Sequence, residues 1–68
     1  MDYRCKIIKE RFGYYIGKTY GGKIYKIKKN RFLKCKVGDD LYFYAKKYKG
    51  FFTDKLIPIS DNEAGVAS

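Results

Sequence analysis

The stretch "KVGDDLYFYAK", residues 36 to 46, changes character halfway along. Its first part is a turn signal: Gly38 adopts backbone angles that cost other residues energy, and Asp39 can close a turn through its own carboxylate. Its second part alternates. Leu41, Phe43 and Ala45 fall on one face, and Tyr42, Tyr44 and Lys46 on the other. That is the period of a strand with one apolar face and one aromatic, wet face. Val37 is expected to anchor the turn, and the strand to start at Leu41.

Working outward, the same strand chemistry recurs. Arg4 to Lys9 ("RCKIIK") combines β-branched residues with alternating Lys, and Tyr14 to Tyr20 ("YYIGKTY") continues in aromatic and β-branched types. The "ERFG" between them reads as a turn. Gly21 and Gly22 predict a two-residue hairpin into a third strand, Lys23 to Lys28. A basic loop follows around Lys29 and Asn30, then Phe32 to Cys35 as a brief helical turn or an extended link. After the fourth strand, "KYKG" is a turn and Phe51 to Ile57 a fifth strand, which Pro58 ends because it has no donor for the ladder. No helical period is sustained anywhere. Five short strands joined by tight turns predict an all-β, closed or nearly closed barrel over residues 1–59, with an SH3-like barrel as the alternative on strand count. The tail, residues 60–68, lacks aromatic and basic residues and is expected to be disordered.

Charge is the second constraint. A chain of 68 residues has a small core in which every apolar strand position counts. Yet all sixteen basic residues lie between Arg4 and Lys55, against five acids in residues 1–59, a net +11 for that part. From Arg11 to Gly38 there are nine Lys or Arg residues and no acid. Such a surplus repels itself and is best understood as matched to a polyanion. The bland alternative, a solvated Lys-rich surface, explains scattered lysines better than it explains missing acids.

Catalytic chemistry finds no residues to carry it. There is no histidine, and the only serines are Ser60 and Ser68, so no nucleophile and base can be assembled. Asp39 and Asp40 are adjacent and project to opposite faces of an extended chain, which argues against a metal or acid–base pair. Cys5 and Cys35 are too few for a zinc site and read as buried thiols, with a disulfide as the alternative. No cofactor is implied. No apolar run approaches the ~20 residues of a membrane span and the charged start is unlike a signal peptide, so a cytosolic protein without a membrane partner is expected.

In order, "KIIK", "FGYYIG", "GGKIYKIK", "KVGDDLYF" and "KGFFTDKLIP" resemble the N-terminal OB-fold domain of the ribosome-small-subunit-dependent GTPase, over residues 5–58. In part, "KKNRFLKCKVGDDL" is similar to translation initiation factor one, and "RFGYY" with "VGDDLYF" to cold-shock domains, although "IYKIK" replaces the second ribonucleoprotein motif of the latter. The resemblance implies a five-stranded OB-like barrel that binds RNA, ribosomal RNA in particular. It does not carry over GTP hydrolysis, because the chain holds no glycine-rich phosphate loop.

An OB barrel binds through its second and third strands, framed by the first loop and the fourth-to-fifth loop. There Tyr14, Tyr15, Tyr20 and Tyr25 are the stacking candidates, although strand alternation sends about half of them inward. Lys18, Lys23, Lys26 and Lys28 are the phosphate candidates, with Arg11 at the start of the acid-free run, Lys29 and Arg31 in the basic loop, and Lys47 and Lys49 before the fifth strand. The expected function is non-catalytic binding of RNA or single-stranded nucleic acid. The competing expectation is a protein-interaction module that docks on a larger nucleic-acid enzyme or ribonucleoprotein. Sequence-neutral binding of duplex DNA by an SH3-like barrel is a third reading.

Overall fold

Alternation of apolar and polar residues, with glycines where the chain reverses, produces five strands in the computed structural model, which describes residues 2–60. They are β1 (Asp2–Arg11), β2 (Tyr14–Lys18), β3 (Ile24–Lys28), β4 (Asp40–Tyr48) and β5 (Asp54–Pro58). The strands close in the order β1-β2-β3-β5-β4, an all-β, five-stranded, OB-like barrel. All pairings are antiparallel except β3 with β5, which run parallel through Tyr25–Asp54, Lys26–Lys55 and Ile27–Leu56. β1 serves two neighbours: residues 2–6 pair with β4 and residues 6–11 with β2, with a bulge between Ile7 and Lys9.

The inward residues form one core: Cys5, Ile7, Tyr15, Tyr25, Ile27, Phe43, Ala45 and Leu56, with Tyr3, Leu33, Cys35 and Leu41 packed against it. Gly17 belongs to that layer. A Cβ there would come within 2.7 Å of Ile27 Cδ1 and 3.0 Å of Cys5 Cβ, so a side chain is excluded where β1, β2 and β3 approach. Gly17→Ala is expected to cost about 1–3 kcal/mol by overpacking. In a domain of this size that lowers the melting temperature by roughly 4–24 °C. An unchanged melt would mean that Ile27 swings aside without cost.

Several local expectations are corrected. The "ERFG" turn shrinks to Phe12 and Gly13, because Glu10 and Arg11 stay in the ladder opposite Tyr15 and Tyr14. The Gly-Gly hairpin is not a two-residue turn. The β2–β3 ladder ends at Lys18 and Ile24, leaving a five-residue loop in which only Gly22 takes a positive φ of 86°. Thr19 holds this loop: its carbonyl accepts from the Gly22 N–H (3.0 Å) and its hydroxyl from the Lys23 N–H (3.1 Å). Residues 32–35 form no helix, and Val37, expected to anchor, is 53% exposed. Leu33 and Cys35 pack on the core in its place. Gly38 turns with φ 98°, and Asp39 Oδ2 accepts from the Lys36 N–H at 3.0 Å, as its sequence context predicts. The fifth strand is shorter than expected, starting at Asp54, and Pro58 is its last residue. Both cysteines are free, Cys5 buried and Cys35 half-buried, and burial raises both thiol pKa values. Of the tail, residues 61–68 lie outside the described residues.

Candidate nucleic-acid interface

Strand register determines which charges share a face. On β1, β2, β3 and β5 the outward positions opposite one another form rows. Arg11, Tyr14 and Lys28 make the first; Lys9, Ile16, Lys26 and Lys55 the second; Lys18 and Ile24 the third. All six of these cations are exposed, while Tyr14, Ile16 and Ile24 lie half-buried between them. No acid occupies an outward position in these rows. Lys6 borders the third row, with Lys18 on one side and Asp40 on the other.

Two hollows lie on this face. One, of about 240 Å³, is lined by Gly13, Tyr14, Lys26, Lys28 and Lys55. The other, of about 220 Å³, is lined by Lys26, Gly50, Phe51, Phe52, Thr53 and Lys55. Lys26 and Lys55 belong to both, so they bridge the β1–β2 turn to the β4–β5 loop. The Lys26 ammonium sits 5.0 Å from the centre of the Tyr14 ring, which holds that lysine over the sheet.

The loop of residues 49–53 presents its aromatic residues to solvent. Phe51 and Phe52 are each 93% exposed and meet edge to face at 4.6 Å. Gly50 makes this possible: its N–H donates to Asp54 Oδ1 at 3.4 Å, and a Cβ at Gly50 would run into the Thr53 carbonyl oxygen. At the β1–β2 turn, Phe12 is fully exposed as well. Phenylalanine so displayed near lysines offers bare ring faces beside phosphate-binding charge.

The residues expected at the site divide. Tyr14, Lys18, Lys26, Lys28 and Arg11 lie on the common face. Tyr15 and Tyr25 point inward, only 7% exposed, and are withdrawn as stacking residues. Burial raises the hydroxyl pKa of Tyr15, which lies beside Cys35. Tyr20 is exposed in the β2–β3 loop, with the Arg4 guanidinium 5.2 Å from its ring centre. Two lysines are answered by acids: Lys23 pairs with Asp54 at 3.5 Å, and Lys29 with Glu10 at 2.6 Å. Arg31 is exposed and stacks over Phe32 at 5.0 Å. Lys47 lies apart, in a hollow lined by Tyr3, Ala45, Lys46, Lys47 and Tyr48, and Lys49 is exposed in the phenylalanine loop.

Lys9, Lys55, Phe12, Phe51 and Phe52 are the residues that sequence reasoning missed. Lys55 was open to detection by alternation, since it flanks the core residue Leu56, whereas Lys9 faces outward through the bulge that follows Ile7, which alternation does not reveal. The phenylalanines read as strand or turn residues, and Phe51 and Phe52 instead stand exposed in the loop that the Gly50–Asp54 hydrogen bond closes. Among the described residues no three cysteines or acids gather as a metal site, and no helix is long and apolar enough to cross a membrane. No family model, curated protein or solved structure matches the chain.

Proposed function

We propose that this protein binds RNA or single-stranded nucleic acid without catalysing a reaction, and that it does so in the cytosol, where free thiols such as Cys5 and Cys35 persist. The observation that carries this reading is the acid-free face holding Lys9, Arg11, Lys18, Lys26, Lys28 and Lys55. Six exposed cations on adjacent strands repel one another unless phosphates stand over them. Phe51 and Phe52, at the rim of that face, supply sequence-tolerant stacking for unpaired bases. Ribosomal RNA, the partner implied by the resemblance, is the first natural target to test.

The experiment is a salt titration of fluorescence anisotropy with short labelled RNA and single-stranded DNA. Three to five phosphate contacts to a single strand give a slope of log affinity against log salt of about −2 to −3.5. Absence of binding at low salt would refute the proposal.

A second reading, protein docking, is favoured by the outer side of β4. Tyr42 and Tyr48 are exposed there, Tyr44 meets Tyr42 edge to face at 6.2 Å, and the Tyr42 hydroxyl donates to the Asp2 carboxylate, lowering that carboxyl's pKa. Arg4 and Lys46 share this side with Asp2 and Asp40, so it is nearly neutral and rich in the residue types of protein interfaces. A pull-down from lysate with and without nuclease separates the two readings. Partners that survive digestion favour the protein-docking reading.

A further inference from the structure

We infer that the occupant of the cationic face is a double-helical segment of RNA, gripped across its shallow minor groove by the phosphates of both strands. The inference rests on the nucleic-acid reading above and specifies its ligand.

The first support is the two-dimensional spread of charge. The cations form a grid three rows deep across four strands, not a line. A single extended strand lying along the middle row reaches only Lys9, Lys26 and Lys55. It leaves Arg11 and Lys28 on one side, and Lys18 on the other, without phosphates. The outer rows are four residues apart along β2, from Tyr14 to Lys18. At the rise of a β-strand that separates them by about 13 Å. Two backbones flanking a helical groove provide phosphates at both margins, above the outer rows and within reach of the long middle-row lysines, and one backbone does not.

The second support is the scarcity of free ring faces on the sheet. Tyr14 is the only aromatic residue at an outward position in the three rows, and the Lys26 ammonium already lies over its ring. With Tyr15 and Tyr25 in the core, the sheet offers phosphate contacts and little base stacking. Unstacked single-stranded bases need aromatic platforms, whereas a helix keeps its bases stacked on one another.

The third support is shape. The residues that alternate with the cations, Tyr14, Ile16 and Ile24, are half-buried in the sheet, so these rows present a broad strand surface with no helix or ridge to fill a deep groove. B-form DNA has a major groove about 8.5 Å deep and a minor groove only about 6 Å wide. The minor groove of A-form RNA is wide and shallow, and it admits a broad barrel wall. Phe51 and Phe52, at the margin beside Lys55, then meet a base that is unpaired at the helix end or in a bulge.

The test compares four labelled probes in anisotropy titrations: a blunt RNA stem-loop, the same stem with a one-nucleotide bulge, a duplex DNA of the same sequence, and an unstructured single-stranded RNA of equal charge. The RNA stem is expected to bind at least about tenfold more tightly than the single strand or the DNA duplex, with a salt slope of about −4 to −5 against about −2 for the single strand. Lys18→Glu combined with Lys28→Glu, which inverts the outer rows and leaves the core intact, is expected to abolish that preference. The bulge is expected to strengthen binding by roughly fivefold or more, an increment lost in a Phe51→Ala, Phe52→Ala variant whose melt matches the wild type. Single-stranded RNA binding as tightly as the stem would overturn the inference while leaving the nucleic-acid reading standing. Equal binding of duplex DNA would overturn the assignment to the RNA groove. Failure of all four probes would remove both readings.

Discussion

Phe43→Ala is expected to leave this protein largely unfolded at physiological temperature. The ring is 6% exposed and lies 6.3 Å, centre to centre, from Tyr3, which in turn meets Tyr25 edge-on at 5.5 Å. Removing it opens a cavity in a layer shared by β1, β3 and β4. A Phe-to-Ala truncation in a core costs about 3–5 kcal/mol. A domain of this length has only roughly 3–9 kcal/mol of stability in total. Tyr42 is the control: it is the next residue on the strand, of similar size, but 62% exposed on the outer side. Tyr42→Ala is expected to cost far less, chiefly its hydrogen bond to Asp2. Denaturant melts of the two variants check the inside and outside of β4 directly, and the reverse order of stability would mean that the strand is inverted.

Reversing Lys26 and Lys55 to Glu is expected to produce the largest functional loss with the smallest structural one. Both side chains are exposed, and both line the two hollows of the cationic face. Each phosphate contact contributes about 0.7–0.9 to the salt slope, so losing two at ~0.1 M salt weakens binding roughly 25- to 60-fold. Repulsion from the two new carboxylates takes the loss to the order of 100-fold. The salt slope is expected to fall by about 1.5, whatever the sequence of the probe. Anisotropy at several salt concentrations reads both quantities. An unchanged slope would place the phosphates elsewhere on the molecule.

What could be read from the sequence follows from which residues face two different environments. The β4 strand was legible because Leu41, Phe43 and Ala45 alternate with residues that prefer water. Lys18, Lys26 and Lys28 were legible because lysine does not stay in a core without a partner. Neighbouring tyrosines were harder: Tyr14 and Tyr15 have the same chemistry, and only the register against Lys28 and Ile27 sends one outward and the other inward. Phe51 and Phe52 have the propensity of strand residues, so they read as part of the fifth strand. They lie instead in a loop closed by the Gly50 N–H on Asp54 Oδ1, at a position where the Thr53 carbonyl leaves no room for a side chain, and sequence pattern does not reveal that closure. The Gly21–Gly22 pair misled for a related reason, since the hydroxyl of Thr19 supplies a closure that favours a longer loop. Parallel pairing of β3 with β5 is a property of the closed barrel and has no local signature.

The shared pairing of β1 also determines when the chain can fold. Its last six residues find β2 through a tight turn, a local event that closes within microseconds. Its first five must await β4, which begins at Asp40, about half the chain later. A refolding chain that has made only this pairing therefore holds a hairpin whose apolar side is uncovered and whose N-terminal half has no partner. Sealing the barrel requires a long-range closure of high contact order, which places its refolding among the slower small domains, in milliseconds to seconds. Until that moment the dense lysines on the other side of the hairpin act as gatekeepers, keeping partly folded chains apart by charge while their strands are still open.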